Sequence, residues 1–79
     1  MNLISIQTLN DGQVVRSLLA YEDYASAASA LYYTMSSNIT DTSVKSIVCV
    51  LLNDNGYIEK QETYIKQDTP EPEPNNEEE

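Results

Sequence analysis

Side chains able to do acid–base, nucleophilic or metal chemistry are few in this chain, and their spacing does not bring them together. Glu22 and Asp23 are adjacent. Neighbours in sequence diverge on a helix, so the two carboxylates cannot share a proton and read as a charge cluster at a helix start. Asp54 and Asn55 look like the beginning of a calcium loop, but the later ligands that such a loop requires do not follow. Cys49 lies within Ile47-Val48-Cys49-Val50-Leu51, where a thiol behaves as a small buried hydrophobe, and a single cysteine allows no internal disulfide. The chain has no histidine. That removes the usual neutral-pH base, the commonest metal ligand and any Ser-His-Asp triad. Zinc needs several Cys or His. A phosphate loop needs more glycine than Gly12 and Gly56 supply. We therefore expect no enzyme activity, no metal, no cofactor and no small-molecule substrate.

Tyrosine remains. Tyr24, Tyr32 and Tyr33 fall in one apparent helix, and tyrosine is favoured at protein interfaces. Tyr32 and Tyr33 could stack on bases, yet the four bases of the chain are scattered and form no patch. Nucleic-acid binding is not expected.

The elements that position these residues are marked by two turns. Asn10-Asp11-Gly12 separates the strand-like runs Leu3–Leu9 and Gln13–Ala20. Asn53-Asp54-Asn55-Gly56 separates Val44–Asn53 from Tyr57–Lys66. Both turns offer residues that tolerate positive φ, as tight hairpins demand. Between the pairs, Glu22 to Ser37 reads as a helix. Tyr24, Ala27, Ala28, Leu31 and Met35 recur at three- and four-residue spacing, and Asn38 is placed as a left-handed C-terminal residue. The alanines make the helix slim enough to lie close to a sheet.

The fold expected is α+β, a β-hairpin–helix–β-hairpin (ββαββ) over residues 1–67. Four strands form a mainly antiparallel sheet with the helix on one face. Order 2-1-3-4 makes the apolar first and third strands central; order 1-2-3-4, with a right-handed parallel crossover, is the alternative. The polar middle of the last strand, Glu59-Lys60-Gln61-Glu62, suits an edge.

Charge is unevenly distributed. The chain carries net −9. Residues 1–67 hold seven acids against four bases, whereas residues 68–79 hold six acids and no base. The last stretch, with three prolines and nothing apolar to bury, is expected to be a disordered acidic tail. It could act as a solubilising appendage, as an electrostatic decoy for a basic protein or as a docking peptide. The body carries too little negative charge to imitate a DNA duplex.

A domain this small buries only about 60% of its unfolded surface, so oligomerisation is a natural supplement. One helix covers one sheet face. Depending on register, the other face would carry Leu3, Leu9, Val15, Leu19, Ile47, Cys49 and Leu51. A bare patch of that kind invites a partner. The candidate interface residues are therefore Tyr24, Tyr32, Tyr33, Leu3, Leu9, Ile47 and Leu51. A homodimer is expected, through that face or through edge strands. The start of the chain has no signal-peptide pattern, and no run is long enough to span a bilayer, so a cytoplasmic setting without membrane association is expected.

The leading strand Leu3–Leu9, the Ala-rich helix reaching Leu31-Tyr32-Tyr33, the strand Ser46–Leu52, the Asn55-Gly56 turn and the Pro/Glu tail together give a layout. It resembles that of small uncharacterised proteins encoded by phages and prophages of Gram-positive bacteria. The resemblance implies no catalytic residue. It implies one of two roles in the host cytoplasm: a small binder that blocks a host defence protein, as anti-CRISPR proteins do, or a virion structural or assembly protein acting as a homo-oligomer.

Overall fold

A computed structural model describes residues 1–66 of the chain. The elements are β1 (Asn2–Leu9), β2 (Val14–Ala20), α1 (Tyr24–Ile39), β3 (Val44–Leu52) and β4 (Ile58–Ile65). They form one four-stranded sheet in the order β2-β1-β3-β4, antiparallel at every seam. This is the ββαββ arrangement with the first and third strands central. The acidic tail expected over 68–79 lies outside the described residues.

Both hairpins use the same turn chemistry. The Leu9 amide donates to the Gln13 carbonyl (2.8 Å), and the Gly12 amide donates to the Leu9 carbonyl (2.9 Å). In the second hairpin Asn53 donates to Tyr57 and Gly56 donates to Asn53, each at 2.9 Å. Gly12 has φ +95° and Gly56 has φ +89°. In that left-handed region a Cβ would be strained, so the turns need glycine there. Asp11 and Asn53 brace the loops by accepting from the Gln13 and Asn55 amides.

Helix α1 begins at Tyr24, two residues later than Glu22, where the sequence suggests a start. Asp23 has extended backbone and is the N-cap, its carboxylate accepting from the Ser26 amide at 2.8 Å. It closes the helix end by a hydrogen bond, rather than sitting inside the first turn. The other end also differs from expectation. Asn38 is not a left-handed terminator; the helix runs through it to Ile39 and is capped by Thr40 in a right-handed conformation. The Asn38 side chain instead donates to the Thr34 carbonyl (2.8 Å) and accepts from Gln7 Nε2 (2.5 Å). A partner across the sheet outweighs the local preference of asparagine for a turn.

The helix lies over β3, with β1 and β4 at its margins. Ala27, Leu31 and Met35 point down onto Leu3, Ile47, Cys49 and Leu51 to form the core. Residues opposite one another across an antiparallel seam share a face. Leu3 pairs with Leu51, Ser5 with Cys49 and Gln7 with Ile47. The odd-numbered side of the central strands is therefore the covered one.

This corrects the sequence reading of the free face. Leu3, Ile47 and Leu51 are at most 2% exposed beneath the helix, and Leu9 is half-buried. Leu3, Ile47 and Leu51 are core, and Leu9 is only partly covered. Alternation alone cannot choose, because β1 and β3 are apolar on both sides. Two register shifts refine the faces further. Between Thr8 and Leu9 the ladder slips so that Leu9 pairs with Val44, which takes Val44 out of the even-numbered set and buries it. Between Leu51 and Leu52 a second slip pairs Leu52 with Ile58, placing Ile58 on the open side.

Candidate protein interface

The open face of the sheet follows from the same pairing rules. Its rows run Leu18-Ile4-Val50-Gln61, Arg16-Ile6-Val48-Thr63 and Val14-Thr8-Ser46-Ile65, from β2 through β1 and β3 to β4. A fourth row is Ala20-Asn2-Leu52-Ile58. The centre is four β-branched side chains: Ile4, Ile6, Val48 and Val50. Their own neighbours leave them half-buried. At the margins Leu18 and Ile65 are each 66% exposed and Ile58 is 60% exposed. Arg16 is the one formally charged side chain in these rows. A shallow hollow of about 290 Å³ opens beside it, lined by Ile4, Arg16, Ser17 and Leu18. Continuous apolar surface on a folded monomer marks an interaction site more often than chance.

The other side of the molecule carries the helix tyrosines. Tyr24, Tyr32 and Tyr33 are all exposed, Tyr33 the most at 76%. Tyr32 receives the ammonium of Lys60, whose Nζ lies 5.3 Å from the ring centroid. The Tyr32 phenol is the main influence holding the Lys60 ammonium above its ordinary pKa, with Glu62 and Tyr24 adding to it. Lys60 Nζ is also 3.7 Å from Glu62 Oε2. Tyr32 thus holds one β4 cation, while Tyr33 stands apart from the buried stripe. The seven candidate residues do not make one surface. Three are tyrosines on the helix, and Leu3, Ile47 and Leu51 lie beneath it.

The residues missed by sequence reasoning are the even-numbered set Ile4, Ile6, Val48, Val50 and Leu52. Their signal was present as an alternation of mostly β-branched residues, broken in β3 by Ser46. The odd set is interrupted by Ser5, Gln7 and the small Cys49, which suits a face that must receive a helix and bond Asn38.

Cys49 is fully buried, and burial pushes its thiol above the ordinary range. A neutral, enclosed thiol is a poor nucleophile. Among the described residues no three His, Cys, Asp or Glu side chains gather as a metal site, and no helix is long and apolar enough to cross a membrane. Comparison of the chain with protein-family models, with curated proteins and with solved structures gave no match.

Proposed function

We propose that this chain is a non-catalytic protein–protein interaction module whose working surface is the open sheet face centred on Ile4, Ile6, Val48 and Val50. The observation that carries the reading is a four-stranded sheet with, among the described residues, a helix on one side only. The bare side is built from aliphatic residues of all four strands. Such a face gains roughly 25 cal/mol for each Å² of apolar surface that a partner covers. The absence of histidine from the sequence supports a binding role over acid–base catalysis.

The resemblance of the layout to small phage and prophage proteins supports a setting in an infected bacterial cytoplasm, with a host protein, in one form a defence protein, as the target. The second reading, a virion structural or assembly protein, draws on the same exposed face used between copies.

Val50→Lys tests the proposal. It puts an ammonium at the centre of the open face and leaves the helix side untouched. Proteins retained by the full chain from a Gram-positive host lysate at low salt should be lost with Val50→Lys and kept with Tyr33→Ala. Retention unchanged by Val50→Lys would remove the open face from the function. Recovery of the protein from purified phage particles would favour the assembly reading.

A further inference from the structure

Strand β2 differs from the rest of the sheet. It is an end strand, and all of its residues are exposed. The helix rests over β3 and does not shield it, so Val15 and Leu19 on the helix side are 47% and 50% exposed. Edge strands are ordinarily protected by charge, proline or shortness. The opposite edge, β4, has Glu59, Lys60 and Glu62. Strand β2, Val14-Val15-Arg16-Ser17-Leu18-Leu19-Ala20, has one charge and no proline.

The direction of its free hydrogen-bonding groups can be read from the ladder. Tyr21 and Met1 exchange backbone bonds, Tyr21 N to Met1 O at 2.7 Å and Met1 N to Tyr21 O at 3.0 Å. Bonded pairs alternate along an antiparallel seam, so Leu19, Ser17 and Val15 also turn their N–H and C=O toward β1. Val14, Arg16, Leu18 and Ala20 turn theirs outward. Among the described residues no strand lies beyond them.

We propose that two copies of this chain pair antiparallel along their β2 edges, centred on Ser17, to form one continuous eight-stranded sheet. In that register Arg16 meets Leu18 of the second copy, Val14 meets Ala20, Val15 meets Leu19, and Ser17 meets Ser17. Three features favour a second copy over a foreign strand. The outward-pointing residues become the bonded pairs Val14–Ala20 and Arg16–Leu18, so every free amide on one strand finds a carbonyl on the other. The only charge of the strand falls opposite leucine, so no like charges face each other. On the helix side Val15 and Leu19 of both copies close into one apolar cluster that neither copy can cover alone. The proposal deepens the binding-module reading by giving the β2 edge its own partner. It also sets two open faces side by side, doubling the surface that a third protein would meet.

Charge at position 18 tests the register. Leu18 is largely exposed, so either charge is tolerated by the monomer. Leu18→Lys sets an ammonium opposite Arg16 of the second copy, twice per dimer; Leu18→Glu sets a carboxylate there. Cross-strand charge pairs of this kind separate the two variants by about thirtyfold in dissociation constant. Light scattering after size exclusion of the full chain should show a dimer for the parent and for Leu18→Glu, and a monomer for Leu18→Lys. The double variant Arg16→Glu/Leu18→Lys should restore the dimer. Equal weakening by Lys and Glu would mean that Leu18 is buried in a face-to-face contact and would overturn the edge register. A monomeric parent would overturn the proposal outright. Ser17→Cys gives an independent check, because opposed residues in a non-bonded antiparallel pair lie about 4.5 Å apart at Cα, within disulfide range. It should cross-link to a covalent dimer on oxidation, and failure to do so counts against the two-fold at Ser17. Val50→Lys should leave the dimer intact, so loss of foreign binding and loss of self-pairing are separate results.

Discussion

At Asp23 one carboxylate oxygen fixes where the helix begins. The hydrogen bond from the Ser26 amide holds this carboxyl below its ordinary pKa of 3.8, and the Ser43 amide and hydroxyl do the same for Asp41. Groups whose folded pKa is depressed add stability that is fully present above the unfolded value and is lost as pH falls through the folded one. Thermal midpoints should therefore drop as pH is lowered below about 4. Protonation also relieves the repulsion among the thirteen acids, which acts in the opposite direction. The test is thus the difference between the parent and Asp23→Asn. An asparagine still caps the helix but does not titrate. The gap between the two midpoints should narrow on acidification; a gap constant from neutral pH to below 3 would show that the cap carboxylate carries no linked stability. At this scale the sequence is partly transparent. Acids before Tyr24 announce a helix start, but whether a given carboxylate caps or merely sits near the dipole depends on one residue of register. That cannot be read from composition.

The helix is held by few contacts, and Leu31 is the largest of its fully buried side chains. Leu31→Ala should cost about 2–5 kcal/mol, judged by chemical denaturation. A core this small rarely supplies more than about 3–5 kcal/mol, so that loss is comparable with the whole stability of the fold. A change below about 1 kcal/mol would mean that the helix is not essential to the sheet. Elements and their order were legible because glycines at positive φ and β-branched runs have local causes. The choice of covered face was not. Leu3-Ser5-Gln7 and Ile4-Ile6-Thr8 are both acceptable inner faces for a lone strand. What decides between them is nonlocal: the Gln7–Asn38 bond and the fit of a slim alanine helix over Cys49. The two register shifts are likewise invisible to strict alternation, yet they move Val44 into the interior and Ile58 out of it.

At the scale of the molecule, among the described residues, the helix side is studded with tyrosine and charge, while the far side is nearly bare of charge. A neutral environment-sensitive dye such as Nile red should brighten with the folded protein, and Val50→Lys should dim that signal while the circular dichroism stays unchanged. No brightening by the parent would mean that the open face is already occupied. The sheet also joins its halves at one seam, where Asn2 pairs with Leu52 and Thr8 with Ser46. Each hairpin can close within about 1–10 μs from neighbours in sequence. The seam must instead bring together residues 38 to 50 positions apart (46 − 8 and 52 − 2), at a loop-closure cost that grows with the logarithm of that separation. The core is complete only after this encounter, because Leu3 belongs to the first hairpin and Ile47, Cys49 and Leu51 to the second. During synthesis the first hairpin therefore emerges with both β1 and β2 unpaired on their outer edges. It waits for β3 to leave the ribosome, and in that interval β1 presents an unpaired edge that a neighbouring nascent copy could meet.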